Sequence, residues 1–212
     1  MNAPVQATYS PAIFNVRDIN EAKRIILTKE DRSTDERWKI ETPYLVGLIE
    51  QCGELNANSV VLDYGCGVGR LSKALIEKYG CFVVGVDISA SMRALAAVYV
   101  DSDKFFACSP DALQHLNLKC DLALAVWVLQ HTFDPSLEIK RIKYSLKPSG
   151  QLFVVNDHRR IVPTTTRQWI NDGQDIKALL NKEFQPGILR ELSAAHVGEA
   201  VAAISFWASY KV

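Results

Sequence analysis

The chain has 212 residues, 48% of them hydrophobic and 23% charged, which suits one α/β domain with a sizeable core. Its 24 basic and 24 acidic residues cancel, so no overall field would draw it to nucleic acid or to an anionic membrane. No apolar run approaches the length of a membrane span, and the first residues lack the apolar core of a signal peptide. We therefore expect a cytoplasmic protein with no nucleic-acid and no membrane partner.

The cysteines add a second constraint from composition. Their number is odd, and they form neither a CxxC pair nor a cluster with histidine. Free buried thiols are therefore favoured over a disulfide framework or a metal site, and no metal ligand is predicted. The cysteines are Cys52, Cys66, Cys81, Cys108 and Cys120.

The segment before the first strand carries weak signals. Residues 1–18 show no hydrophobic period and are expected to be loosely attached. A first helix is predicted over 20–29, capped by its first residue, and the polar residues 31–37 predict a loop. A second helical pattern starts at Trp38 and is interrupted by Pro43.

A strand, a tight turn and a helix follow in immediate succession. The apolar run from Val60 ends in Asp63, which is typical of a buried parallel strand. Gly65, Gly67 and Gly69 come next, and then apolar residues recur at helical spacing. Glycines at such a turn allow positive φ and let a ligand approach the backbone closely. A ligand over this turn would lie at the carboxyl end of the strand, where open α/β sheets bind ligands.

A second apolar strand, Phe82 to Asp87, also ends in an acid, eighteen residues beyond Gly69. A carboxylate at that strand end can accept hydrogen bonds from both hydroxyls of a ribose. The turn and this acid, taken together at this spacing, indicate a nucleoside-containing ligand far more specifically than glycines alone.

The glycine spacing differs from that of the dinucleotide fingerprint, which has two residues between its second and third glycines. Here the glycines alternate, and the pattern Asp63-x-Gly65-x-Gly67-x-Gly69 resembles the first motif of the class I S-adenosylmethionine (AdoMet) methyltransferases. An acid at the strand end suits a ligand with an ammonium group and hydroxyls, and suits a pyrophosphate poorly. Specific motifs carry the resemblance over roughly residues 58–157.

Further strands and helices alternate downstream, which predicts a doubly wound parallel sheet. The resemblance implies a mostly parallel seven-stranded sheet, with helices on both faces and a C-terminal antiparallel hairpin. It also implies that residues 1–57 form an extension with lid-like helices and that 58–212 form the AdoMet-binding domain. The later predicted strands cover 105–107, 120–127, 151–157, 188–192 and 204–210, and the later helices begin at Ser89 or Ser91, Ala112, Asp134 and Gln174.

The resemblance assigns cofactor contacts to residues at the carboxyl ends of the first four strands. Asp111 is the loosest match, because Ser109 is an alternative and because an acid there can simply cap a short helix. The expected cofactor-binding residues are Asp63, Gly65, Cys66, Gly67, Gly69, Asp87, Ile88, Met92, Asp111, Val126 and Gln130.

Two histidines are candidates for catalysis. His131 ends a Leu-x-His element after the fourth strand, which resembles an element of many small-molecule methyltransferases. His131 acts either as a general base or as a packing residue, since an unperturbed imidazole titrates near pH 6.5. His158, just past the fifth strand, would face the acceptor from the same edge of the sheet.

The acceptor site is predicted between the N-terminal helices and the connection that follows the fifth strand, over 158–173. Trp38 is either a lid residue or an anchor of its helix on the sheet, and Trp169 would add a second apolar wall. Arg159 and Arg160 either clamp an anionic group of the acceptor or belong to a solvated loop.

The function that the resemblance implies is methyl transfer from AdoMet to a small-molecule acceptor by direct displacement. Alignment of the reacting atoms and exclusion of water would supply much of the rate, so a general base is needed only if the acceptor must lose a proton early. A protein or RNA methyltransferase is the second hypothesis, although no basic stripe supports it. A catalytically silent AdoMet-binding module is the third. The sequence does not indicate the acceptor or the oligomeric state.

Overall fold

The structure is a computed structural model that describes residues 8–27 and 32–212. From the first strand onward, strands and helices alternate along most of the chain. The strands are β1 (Val60–Tyr64), β2 (Phe82–Val86), β3 (Phe105–Cys108), β4 (Cys120–Val126), β5 (Leu146–Asp157), β6 (Val162–Pro163), β7 (Trp169–Ile170), β8 (Gln185–Glu191) and β9 (Ser205–Lys211). The α-helices are α1 (Ile19–Ile26), α2 (Thr34–Ile49), α3 (Arg70–Tyr79), α4 (Ala90–Val100), α5 (Pro110–Leu113), α6 (Pro135–Ser145), α7 (Ile176–Glu183), α8 (Ala194–Val197) and α9 (Glu199–Ile204).

One large sheet organises the described part of the chain. Its seven strands lie in the order β3-β2-β1-β4-β5-β9-β8. The strands β1 to β5 pair in parallel, whereas β9 lies antiparallel between β5 and β8. The chain order reverses between β1 and β4, which is the topological switch point where ligands bind in open α/β sheets. The predicted doubly wound sheet with a C-terminal antiparallel hairpin is confirmed.

Each face of the sheet carries its own hydrophobic core, which explains the unbroken apolar runs of the central strands. Along β4, Leu122 and Leu124 point to the core covered by α2 and α3. Ala123 and Ala125 point to the opposite core, covered by α6 and α7. Small residues on that face let the two helices approach the sheet closely.

The second helix begins earlier than its apolar pattern indicated. Ser33 and Glu36 form a reciprocal capping box, in which each side chain accepts from the other residue's backbone N–H. The prediction of a loop over 31–37 is therefore wrong from residue 34 onward, and residue 31 lies outside the described residues. Pro43 does not interrupt the helix, because it lies on the solvent-exposed side, where a carbonyl that loses its intrahelical donor remains open to water.

The segment 8–18 is attached to the fold, contrary to the expectation for residues 1–18; residues 1–7 lie outside the described part. The Ser10 N–H donates to the Pro163 carbonyl at 3.1 Å, and the Thr165 N–H donates to the Thr8 carbonyl at 2.7 Å. The attachment was not predictable locally, because its partners lie about 150 residues away in the chain.

The cap of α1 also differs from the prediction. Asp18, not Asn20, is the N-cap, since its carboxylate accepts from the backbone N–H groups of Asn20 and Glu21. The helix ends at Ile26, and the end predicted at residue 29 lies outside the described residues.

The connection after β5 is partly ordered as a small hairpin of β6 and β7, which pair antiparallel. An isolated bridge between Tyr9 and Thr164 joins this hairpin to the N-terminal segment. The two segments together form one side of the site described below.

Several whole-chain expectations bear on this architecture. Leu45 and Ile49 of α2 share a core with Val61 of β1, so packing is continuous across residue 57. The functional division at that residue stays a prediction.

All five cysteines are free and buried. Within residues 8–27 and 32–212, no helix combines the length and apolarity that crossing a bilayer requires.

Candidate active site

A cavity of about 660 Å³ lies at the carboxyl ends of β1, β2, β4 and β5. Further walls come from the segment 8–18, from helices α1, α2, α3, α4, α6 and α9, and from the connection that carries β6 and β7. Most of these walls are apolar. The acids Asp63, Asp87 and Asp157 enter from the strand ends, and the other charged groups enter from helices. A volume of this size is typical of sites for small organic ligands.

The turn after β1 forms the floor of the cavity, and its conformation requires glycine at two positions. Gly65 has φ +80°, and a Cβ there would lie 2.5 Å from Cγ2 of Val128. Gly67 has φ +54°, and a Cβ there would lie 2.8 Å from Cδ1 of Ile26 in α1. Any larger residue would therefore be strained in its backbone and would collide with the cavity wall.

Asp87 follows β2 and holds this turn in place. Its Oδ2 accepts from the Gly67 N–H at 2.9 Å, and its Oδ1 accepts from the Ser89 N–H at 2.8 Å. Burial raises the pKa of Asp87 above its usual range. Ile88 and Met92 line the cavity beside this carboxylate, which places an apolar surface next to two strong acceptor oxygens.

Asp63 is the second acid at the cavity floor. Its Oδ2 accepts from the Ser72 hydroxyl at 2.6 Å, and burial raises its pKa to about 6. A buried carboxylate in this state gains stability when a cationic or hydrogen-bonding ligand replaces the lost water. The position suits an ammonium group.

A cluster of charged side chains from α2 and α3 adjoins Asp63. Arg37 donates from Nε to Glu41 at 2.6 Å, and Arg70 Nη1 lies 3.9 Å from the other oxygen of Glu41. Burial raises the pKa of Glu41 and lowers that of Arg70 to about 10. Among the described residues, Arg70 Nη1 has no hydrogen-bond partner. Because Arg70 and Arg37 both line the cavity, a ligand carboxylate would find a donor there.

The chain turns sharply after β4, at the switch point of the sheet. Val126 ends the strand, and Trp127 adopts a left-handed conformation with φ +58°. Gln130 donates its backbone N–H to Asn156 Oδ1 at 3.1 Å, which fixes the following turn. Among the described residues, the side-chain Oε1 of Gln130 has no partner, although the residue lines the cavity.

His131 lines the cavity as part of an aromatic wall. Its ring lies 5.7 Å from Phe14 and 5.4 Å from Trp169, measured between centroids. Burial lowers the pKa of His131 to about 4, so the imidazole is neutral near pH 7. The neutral ring donates from Nδ1 to the Ile161 carbonyl at 2.7 Å, which leaves Nε2 as an acceptor.

A model of the methyltransferase domain family matches residues 37–198, which include the turn, both acids, His131 and Trp169. The chain belongs to the methyltransferase domain family. The predicted family is thereby confirmed.

A curated relative of this methyltransferase domain is the ubiquinone biosynthesis O-methyltransferase of Coxiella burnetii. The two are 35% identical over 97 residues, which is 44% of this chain and 41% of the relative. The match therefore spans less than half of the relative's length.

Solved structures share the fold at lower identity. A geranyl diphosphate C-methyltransferase from Streptomyces coelicolor, solved with S-adenosyl-L-homocysteine, superposes with a TM-score of 0.66 at 14% identity, covering 93% of this chain and 94% of that one. The [4+2]-cyclase SpnF superposes with a TM-score of 0.64 at 18% identity, covering 88% and 86%. These similarities establish the fold alone.

Most of the expected cofactor residues of the methyltransferase domain line one cavity, but two do not. Gly69 precedes α3 and packs inward, where a Cβ would lie 2.4 Å from Val100. Asp111 is exposed, and its carboxylate pairs with Arg141 at 3.2 Å instead of facing the cavity. Ser109 is the cap of the short helix α5. The expected residues that line the cavity are Asp63, Gly65, Cys66, Gly67, Asp87, Ile88, Met92, Val126 and Gln130.

Arg160 does not form the expected acceptor clamp. Its side chain is fully buried and forms an ion pair with Asp172, with Nη2 3.1 Å from the carboxylate. It also donates to the carbonyls of Leu129 and Thr132, each at 2.6 Å. Arg160 therefore joins the turn after β4 to the connection after β5, and its donors are largely used by the protein itself.

Two neighbours of Arg160 also lie outside the cavity lining. His158 is exposed, stacks on Phe206 with centroids 5.5 Å apart, and has its Nδ1 3.4 Å from Lys177 Nζ. Arg159 is exposed. The structure therefore gives neither residue a position from which to contact an acceptor inside the cavity.

Trp38 packs as an anchor and does not line the cavity. Its Nε1 donates to the Tyr99 hydroxyl at 3.3 Å, and the two rings meet edge to face. The guanidinium of Arg70 lies 5.3 Å from the Trp38 ring, so the indole supports a residue that does line the cavity.

Sequence analysis missed several residues of this methyltransferase cavity. Asp157 at the end of β5 followed the same signal as the two acids that were found, an apolar strand ending in a carboxylate, and could have been found in the same way. Tyr9 and Phe133 contact each other at 5.3 Å in irregular segments, which give no periodic signal. Glu138 lies on α6 and binds the Tyr64 hydroxyl, a contact that requires the fold to be known.

Proposed function

We propose that this protein transfers a methyl group from AdoMet to a small-molecule acceptor. The observation that carries the proposal is the pair of carboxylates, Asp63 and Asp87, that line the cavity on either side of a glycine turn in a protein of the methyltransferase domain family. The name of the curated O-methyltransferase relative supports a small acceptor. We place the activity in the cytoplasm.

The cavity offers a matching group for each part of AdoMet. Asp87 would accept from the ribose hydroxyls, with Ile88 and Met92 against the adenine. Asp63 would bind the ammonium group, and the unpartnered Nη1 of Arg70 would donate to the carboxylate. The pairing of both signs of charge at one end of the cavity distinguishes an amino-acid ligand from a pyrophosphate.

AdoMet supplies a methyl group on a sulfonium sulfur, whose positive charge disappears as the methyl leaves. The protein's part is to align the acceptor with that methyl and to exclude water. The apolar walls from the segment 8–18 and from α9 serve the second purpose, because they cover the strand ends. Gln130 and the turn at Trp127 would shape the boundary between the two ligands.

The acceptor would occupy the part of the cavity bounded by Phe14, His131 and Trp169. These rings provide flat apolar surfaces 5–7 Å apart between centroids. A cavity of this size suits a small molecule better than a segment of RNA or protein. Label from AdoMet should therefore appear in the small-molecule fraction of a cell extract and not in its RNA or protein fractions.

Two measurements test the proposal in sequence. Isothermal titration calorimetry should show AdoMet binding, whereas clear NAD binding without AdoMet binding would refute the cofactor assignment. Incubation with labelled AdoMet and fractionated extract then tests transfer. Tight AdoMet binding with no labelled product would favour a silent binding module. One protein with the same fold, the [4+2]-cyclase, is named for a reaction other than methyl transfer.

A further inference from the structure

We propose that Asp157 is the acceptor-side general base, and that the acceptor is a neutral molecule that is methylated at a hydroxyl or amine carrying a removable proton. This inference rests on the proposed function, because it requires AdoMet in the other half of the same cavity. Asp157 ends β5, lines the cavity and is only 8% exposed.

The sheet register places Asp157 on the same face as the cofactor acid Asp63. Asp63, Leu124 and Phe153 are partners across β1, β4 and β5, and side chains in register on neighbouring strands point to the same face. Asp157 follows Phe153 by four residues, so it shares that face. The two acids are then separated by roughly 13 Å along the strands and about 10 Å across them. That distance leaves room for the amino-acid part of the cofactor and for an acceptor between them.

The hydrogen bonds of Asp157 leave one oxygen for a ligand. Oδ1 accepts from the Ser205 hydroxyl at 2.8 Å, which fixes the carboxylate. Among residues 8–27 and 32–212, Ser205 is the donor to this carboxylate, and its hydrogen bond leaves Oδ2 available. The carboxylate therefore combines a fixed orientation with an available acceptor atom, as a general base requires.

Two other titratable groups that line the cavity, Glu138 and His131, are less suited to this role. Both oxygens of Glu138 accept from Arg141, and one of them also accepts from the Tyr64 hydroxyl. His131 has a pKa lowered to about 4, which makes it a weaker base than an ordinary imidazole. Burial raises the pKa of Asp157 above its usual range.

The surroundings of Asp157 define the class of acceptor. Val201 and Ile204 of α9 line the cavity, and the Ile204 carbonyl accepts from the N–H of the residue next to Asp157. An anionic acceptor would be repelled by the carboxylate in this apolar region. A neutral hydroxyl or amine instead donates a hydrogen bond to Oδ2, the oxygen that Ser205 does not bind.

The proposed step balances without an oxidant or reductant. The bond between sulfur and the methyl carbon breaks, and its electron pair returns to sulfur to give S-adenosylhomocysteine. The methyl carbon bonds to the acceptor oxygen or nitrogen, whose proton passes to Oδ2 of Asp157. The products are a neutral methylated acceptor and a protonated Asp157, which later releases the proton to water.

The test uses Asp157→Asn, which preserves the shape of the side chain and can still hydrogen-bond to Ser205. The probe is the small-molecule fraction of a cell extract with labelled AdoMet. We expect Asp157→Asn to lower the labelling rate at least 100-fold, the lower end of the range for general base catalysis, and to leave AdoMet affinity by calorimetry unchanged. Asp103→Asn, at an exposed position outside the cavity, is the matched control and should label like the wild type.

The product identifies the acceptor atom, and each outcome has a distinct meaning. Mass spectrometry should show a neutral ether or amine, formed with the loss of one proton. A labelled carbon, sulfonium or quaternary ammonium product would overturn the inference, as would an Asp157→Asn rate within fivefold of the wild type. Those results would leave the proposed function intact. Absence of AdoMet binding, or of any labelled product from the wild type, would instead refute the proposed function and this inference with it.

If the Asp157→Asn variant loses AdoMet binding as well, the fold has been disturbed. A second variant, Ser205→Ala, then tests the role of Asp157. That change frees Oδ1 without removing the carboxylate, so we expect a labelling rate between those of the wild type and a variant without a base. A Ser205→Ala rate equal to the wild type would count against a role for the fixed carboxylate.

Discussion

Three carboxylates lie at the carboxyl ends of three strands, and they differ in the hydrogen bonds that they form. Asp87 uses both oxygens to hold backbone N–H groups of the turn, so it shapes the site as well as offering acceptors. Asp63 binds Ser72, and Asp157 binds Ser205, each through one oxygen. The same residue type therefore serves as a scaffold for the turn, a proposed ammonium site and a proposed base, depending on what surrounds it.

Replacement of Asp87 tests the ribose contact at the scale of one residue. We expect Asp87→Ala to weaken AdoMet binding by about 1.5–3 kcal/mol, the contribution of hydrogen bonds to a charged group. Asp111→Ala is the matched control, because that carboxylate is exposed and pairs with Arg141 outside the cavity. Calorimetry on both variants checks the prediction. Equal losses would show that the effect is one of overall charge and not of contact.

The lowered pKa of His131 predicts how the stability of the protein changes with pH. In the folded protein, the imidazole of His131 becomes protonated only when pH falls to about 4. In the unfolded chain it becomes protonated near pH 6.5. The unfolded state therefore binds more protons between these values, and this group's contribution to stability is lost as pH falls through that window. His131→Phe keeps a ring between Phe14 and Trp169 but cannot titrate.

We therefore expect the variant to gain stability relative to the wild type as pH is lowered from 7 to 4.5. Urea unfolding at both pH values measures the difference, which cancels the contributions of other titrating groups such as Asp63. A difference that does not change with pH would mean that the imidazole titrates normally in the folded protein.

The predictions of Asp63 and Asp87 rest on a local signal, whereas those of Arg160 and Trp38 rest on position alone. Asp63 and Asp87 each follow an apolar run directly, so the strand and its end are visible together. Arg160 and Trp38 were assigned from their position in a connection or a helix, but their partners, Asp172 and Tyr99, come from other segments. Whether an arginine faces a cavity or an internal carboxylate depends on tertiary contacts that no local pattern contains.

At the scale of the element, α2 contributes both to the stability of the fold and to the candidate site. It begins at a capping box, carries Arg37 and Glu41 on a buried face, and packs into the core through Leu45. The sequence pattern placed its start too late because the first turn is polar and its cap is a side-chain arrangement, not an apolar period. The strands were located well because their apolar runs are continuous.

Removal of the Ser33 cap of α2 should lower both the stability of the protein and its affinity for AdoMet. We expect Ser33→Ala to lower the free energy of unfolding by about 1 kcal/mol and to weaken AdoMet binding a few-fold, because the first turns of the helix position Arg37. Asp175→Ala removes the cap of α7, on the opposite face of the sheet, and should cost similar stability without changing affinity. Urea unfolding and calorimetry separate the two effects. An equal loss of affinity in both variants would contradict a specific role for α2.

At the scale of the whole molecule, the cavity joins segments that are distant in the chain. The segment 8–18, the strand ends and α9 all contribute walls, so a ligand in the cavity contacts most of the fold. Packing is continuous from α2 to β1, and β9 lies inside the sheet and not at its edge. Binding should therefore stabilise the protein as one unit.

Thermal unfolding measures this stabilisation. AdoMet at a hundredfold excess over its dissociation constant should raise the free energy of unfolding by about 2.7 kcal/mol. For a chain of this size the midpoint should rise by about 5–10 °C. NAD at the same concentration is the control and should leave the midpoint unchanged, and an equal rise with NAD would argue against selective recognition of AdoMet.

The four tryptophans are divided between the cavity and the body of the fold. Trp127 and Trp169 line the cavity, whereas Trp207 is buried in the core and Trp38 packs against Tyr99. The intrinsic fluorescence of the protein therefore has one pair of emitters exposed to ligands and one pair shielded from them. We expect a ligand in the cavity to change mainly the emission of the first pair, so that fluorescence titration can screen unlabelled compounds.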